Sequence, residues 1–157
     1  MTMRDFRILM KVAIFSVIFL VFFCKNSYSD NYSSFNQNVK NYNQDLLIIG
    51  KNGQEIANYR VALADNDQKM QYGLMNLEYL DAKKGMLFLF KKHAIISMWM
   101  KNTLIPLDMI FIEGDKIVRI AQDTTPHSLK HISSKFKIDK VLEVNAGEVE
   151  EKGIKIG

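Results

Sequence analysis

Cysteine is almost missing from this chain: Cys24 stands alone among 157 residues, so no intramolecular disulfide can staple the fold. Motifs that would name a reaction are missing too. There is no nucleophile elbow, no metalloprotease helix, no phosphate loop and no nucleophilic cysteine, which removes the commonest hydrolase and nucleotide-dependent classes. No internal repeat is visible, which excludes a solenoid or propeller. A strong charge of one sign is also lacking once the chain is divided. The net charge is +4, but Arg4, Arg7, Lys11 and Lys25 against Asp5 place +3 of it in the first 29 residues. The remainder is close to neutral and carries no nucleic-acid footprint.

The sequence does contain a leader. Three basic residues precede an uncharged run of 12 residues, Val12 to Phe23, followed by polar residues and by small residues at Ser27 and Ser29. This is the pattern of a secretory signal peptide over 1–29, cleaved after Ser29. Twelve residues rise only about 18 Å as a helix, short of a roughly 30 Å hydrocarbon core, which disfavours an uncleaved anchor. Lipidation at Cys24 is disfavoured by Phe23, a bulky residue where a small one normally precedes the modified cysteine. The expected location is extracytoplasmic, periplasmic or exported, with membrane contact only through the leader and only where it is not cleaved. An oxidising compartment without a disulfide means that the domain must stand on its core.

Residues 30–44, "DNYSSFNQNVKNYNQ", bury too little apolar surface to offset their ordering entropy and read as a flexible polar linker. A single domain is expected over 45–157, near the commonest domain size. Strands are expected at "LLIIG", "EIANYRVALA", "GMLFLF", "ISMWM", "IPLDMIFIE", "KIVRIAQ" and "IDKVLEVNAG". Turns are expected at Asn52–Gly53 and Gly114–Asp115. A short helix capped by Asp65 or Asp67 should end at Gly73, and "GEVEEKG" should form a second helical turn ending at Gly153. The lysines Lys83, Lys84, Lys91 and Lys92 are expected in solvated turns. About seven short strands with one or two brief helices point to a mainly β domain, an antiparallel sandwich or open barrel.

The stretch "MWMKNTLIPLD", residues 98–108, holds the only tryptophan and one of only two prolines. Alternation along a strand puts Met98 and Met100 on one side and Trp99 on the other. Lys101, Asn102 and Thr103 suit a turn, and Pro106 holds Ile105 extended at a strand start. Asp108 lies among apolar residues, where an unbonded carboxylate costs several kcal/mol. It either staples this turn through donors at 101–103 or forms the polar end of a pocket walled by Trp99.

Taken together, "YGLMNLEYL", "GMLFLF", "MWMKNTLIPLDMIFIEGDKIVRI" and "VLEVNAGEVEEKGIKIG" resemble the bacterial and archaeal family known as domain of unknown function number 192. The resemblance covers nearly all of 45–157. It implies a mainly β, sandwich-like fold and agrees with export, but it implies no mechanism. Where relatives tend to carry arginines on either side of "GLM", this chain has Met70 and Leu77.

Three kinds of function follow. An enzyme would draw on Asp108, His93, His127 or His131 for acid–base work, a hydrolase using Asp108 being the sharpest form. A metal protein could use His127 and His131 for zinc, or Met98 and Met100 as soft ligands for Cu(I). The favoured expectation is a small non-catalytic binding or accessory module of the cell envelope, without cofactor. Its partner would be an envelope ligand or protein, presented to Trp99, Lys101, Asn102, Thr103 and Asp108.

Overall fold

The computed structural model describes residues 41–157, so the expected signal peptide and most of the expected linker lie outside the described residues. Eight elements follow in order. They are β1 (Tyr42–Ile49), β2 (Glu55–Ala64), α1 (Asp67–Tyr72), β3 (Lys84–Met98), β4 (Leu107–Glu113), β5 (Lys116–Ala121), β6 (Ile132–Asn145) and α2 (Glu148–Lys152). The strands form one mixed sheet of six in the order β1-β2-β3-β6-β4-β5, with β1 and β5 as its edges. The fold is mainly β, as expected. The first strand reaches back to Tyr42, inside the segment read as linker.

One pair is parallel: β2 runs alongside β3, whereas every other neighbouring pair is antiparallel. A parallel neighbour needs a crossover instead of a hairpin, and residues 65–83 with α1 supply it. The cap of α1 is neither Asp65 nor Asp67. It is Asn66, whose side-chain oxygen accepts from the Lys69 backbone N–H at 3.0 Å. Asp65 is instead engaged by the Lys69 ammonium at 2.8 Å. Gly73 ends the helix with φ +51°, a conformation that glycine adopts without a Cβ penalty.

"GMLFLF" and the first three residues of "ISMWM" belong to one strand of 15 residues, β3, with register shifts between Leu89 and Ala94 and again between Ile95 and Ser97, and Trp99 and Met100 lie beyond its end. Lys84, Lys91 and Lys92 are therefore strand residues, the last two exposed on its irregular middle. This merger, together with the missing break before Ala94, brings the strand count down to six. Likewise β6 starts at Ile132, ahead of the strand expected from Ile138.

Cross-strand partners share a face, so the register defines rows. On one face Ile110, Leu142 and Val144 pack with Tyr59, Val61, Val149 and Ile154 into an apolar core. On the other, Met86 and Met109 flank Glu143, and Phe88 and Phe111 flank Val141. Residues Val141 to Val144 are all buried, so the end of β6 is covered on both faces. Gly85 allows β6 to approach closely: a Cβ there would lie 2.6 Å from the Glu143 carbonyl oxygen. Gly85→Ala is expected to destabilise the domain by about 3 kcal/mol, read as a lower urea midpoint, because backbone on both sides resists displacement.

Candidate functional site

The 98–103 segment leaves the sheet as β3 ends. Met98 is half-buried, Trp99 is 40% exposed and Met100 is fully buried, but the expected pairing of Met98 with Met100 on one side does not hold: Met98 and Trp99 line one cleft, and Met100 lies outside it. The Thr103 N–H donates to the Met100 carbonyl at 3.1 Å and closes a turn on Lys101 and Asn102. Asn102 sits at φ +53°, a left-handed position that asparagine tolerates better than most residues. The turn is docked at both flanks: the Asn102 carbonyl accepts from Asn76 N–H at 2.8 Å, and the Thr103 carbonyl accepts from His127 N–H at 3.1 Å. Lys101 places its ammonium 5.2 Å from the centre of the Trp99 ring, a cation–π pair on the outer side.

Beneath this turn is a cleft of about 260 Å³. Its walls are the chain around Gly73 to Met75, the aromatic side chains of Phe88 and Phe90, and the strand end from Ile96 to Trp99. Lys101 and Thr103 lie at its margin, and Glu143 of β6 contributes the one carboxyl group. Glu143 is 4% exposed, and its carboxyl group has no hydrogen-bond partner among the described residues. Burial pushes its pKa up from 4.5 to about 8, so at neutral pH the group retains its proton. A neutral carboxyl offers one donor and a carbonyl acceptor to whatever enters.

Asp108 is elsewhere. It is fully buried, with Oδ1 accepting from Asp123 N–H at 2.9 Å and Oδ2 accepting from Val149 N–H at 3.0 Å. The expected donors at 101–103 are thus replaced by two amides distant in sequence, one of them in the first turn of α2, where a negative charge is favourable. Asp108 does not line the Trp99 cleft, and it ties β4 to the 122–124 loop and α2. Alternation along β4 could not reveal this, because Leu107 to Phe111 are buried on both faces.

Of the five residues expected at one site, Trp99, Lys101 and Thr103 meet at the cleft. Asn102 turns towards Met75 and Asn76, and Asp108 is withdrawn. Met98 lines the Glu143 cleft, whereas the Met100 sulfur lies 3.2 Å from the Thr124 hydroxyl, so the two thioethers are not presented to one cavity. His127 and His131 belong to the irregular chain before β6, not to a helix. His131 Nδ1 is 3.0 Å from Ser97 Oγ. A hydroxyl beside an imidazole resembles half of a nucleophile–base arrangement, but no carboxylate among the described residues pairs with His131 to orient it. Among the described residues no group of three or more His, Cys, Asp or Glu side chains is placed to hold a metal ion.

Sequence reasoning misses Glu143. Its only signal is an acid inside "KVLEVN", a run whose Leu142 and Val144 neighbours make it look like an outward-facing position.

Residues 48–157 match the model of the DUF192 family, described as "Uncharacterized ACR". No protein of curated function matches the chain. Two crystal structures are similar. One, from Sinorhizobium meliloti 1021 and provisionally described as a transcription regulator, shares 37% identity with a TM-score of 0.69, over 72% of this chain and 88% of that one. The other, a protein of unknown function from Novosphingobium aromaticivorans DSM 12444, shares 32% identity with a TM-score of 0.66, over 71% of this chain and 79% of that one.

Proposed function

The chain belongs to the DUF192 family, and we propose that it is a small exported binding module of the cell envelope that takes an amide-bearing, partly apolar ligand into the Trp99–Glu143 cleft. The observation that carries this reading is Glu143: a carboxyl group with no partner among the described residues, held beside Phe88, Phe90 and Leu74. The apolar side chains around it supply no hydrogen bond, so a ligand that bonds to the carboxyl group completes what the site lacks. A protonated carboxyl pairs with an amide through complementary donor and acceptor, and Trp99 supplies a rigid apolar wall. The volume suits one side chain and its amide in place of a large cofactor.

The leader pattern over residues 1–29 supports the address. The near-neutral balance of residues 30–157 gives no support to DNA binding, so the regulator description of the Sinorhizobium protein is not carried over. Titration with N-acetyl-leucinamide and N-acetyl-phenylalaninamide, read by Trp99 fluorescence, tests the reading. A saturable change that weakens about tenfold in Glu143→Ala is expected, the size of one lost charge-free hydrogen bond in a dry site. Emission that stays unchanged with both amides would remove the cleft as a ligand site.

A further inference from the structure

A second cleft, of about 420 Å³, borders the same 99–103 segment: Met100 lines it, whereas Trp99, Lys101 and Thr103 line the first. It lies between the end of β5, the 122–131 chain and the start of β6. Arg119 enters it from β5. The Arg119 guanidinium is stacked on the Phe111 ring, 5.2 Å from the ring centre, which fixes the fork in place. Its Nη1 is buried and has no hydrogen-bond partner among the described residues. An unpaired buried guanidinium nitrogen is costly and uncommon, so it calls for an acceptor.

The remainder of the cleft is also rich in donors. Ser128 Oγ accepts from Lys130 N–H at 3.2 Å, and Ser133 Oγ accepts from Lys135 N–H at 3.1 Å. Those bonds use lone pairs, leaving each hydroxyl hydrogen free to donate. Arg119, Lys130 and Lys135 bring three positive charges against the one carboxylate of Asp123. A site with surplus donors and surplus positive charge selects an oxyanion, and the excess of two favours a dianion over a monoanion.

We propose that this cleft binds a phosphate group, with Arg119 as its anchoring residue and Lys130 and Lys135 as outer charges. The shared chemistry is that of a phosphate dianion, free or carried as a monoester. The test is a titration of the full chain, followed by backbone and arginine Nε–H NMR, with inorganic phosphate, glycerol 3-phosphate and acetate at matched ionic strength. Saturable shifts confined to Arg119 and residues 122–135 are expected with phosphate, and acetate should bind about tenfold more weakly. Tighter binding of glycerol 3-phosphate would identify a monoester as the source, and tighter binding of inorganic phosphate the free ion. Arg119→Gln should weaken binding about tenfold, and the exposed pair Lys130→Gln/Lys135→Gln, which does not endanger folding, several-fold. The assignment is overturned if shifts scale with ionic strength for all three anions, or if the double variant binds phosphate like the parent.

Discussion

Asp108→Ala is expected to lower the free energy of unfolding by about 4 kcal/mol, a large share of what a single domain of this size possesses. The carboxylate accepts from the backbone of Asp123 and of Val149, and both bonds are charge-assisted. Truncation leaves two amides without acceptors, that of Val149 in a buried position, and it releases α2, a helix of only five residues that cannot hold itself. Asp108→Asn keeps one oxygen but turns an NH2 towards a donor, so about half of the loss is expected. Urea denaturation of the three proteins measures this directly. A loss below about 1 kcal/mol for alanine would contradict the staple. The same result separates structure from chemistry: an aspartate with both oxygens engaged by main chain and no exposure is poorly placed to act on a substrate.

Glu143→Gln should have the opposite effect, and one that depends on pH. The folded protein holds this proton with a pKa of about 8, against an ordinary 4.5. Between those values the unfolded chain releases a proton that the folded chain retains, so stability falls as pH rises through the window and levels off above about 8. The full span corresponds to about 5 kcal/mol. A glutamine side chain at this position would be neutral throughout and nearly the same size, so the variant's curve should lack this slope. Parent and variant are expected to coincide near pH 4.5 and to differ by up to about 5 kcal/mol at pH 9, the variant being the more stable. Thermal unfolding across pH 4 to 9 reads the difference. Parallel curves would show that Glu143 titrates alike in both states.

Local signals carry much of the fold. The Gly114–Asp115 turn joins β4 to β5 as expected, with Gly114 at φ +56°, and Gly73 and Gly153 end the two helices. These depend on residues adjacent in sequence, and a single chain displays them. What depends on distant partners is not legible. The Asp108 oxygens are filled by amides 15 and 41 residues away, and no spacing rule connects them. Trp99 is legible as a half-exposed wall because it is the one large aromatic at a strand end followed by a turn. Glu143 is hidden by the period-2 rule itself, which sends a charged residue between two core residues to solvent. That rule assumes one wet face. In β6, flanked by β3 and β4, the second face is covered by Met86, Met109 and the chain around Leu74, and the carboxyl group enters a cleft instead.

The most direct measurement is the carboxyl carbon-13 NMR titration of Glu143 in the full chain, with and without N-acetyl-leucinamide. Titration near pH 8 in the free protein, displaced further upwards when the amide is bound to the protonated carboxyl, is the expected result. Titration near 4.5, indifferent to the amide, would contradict both the buried proton and the ligand site built on it.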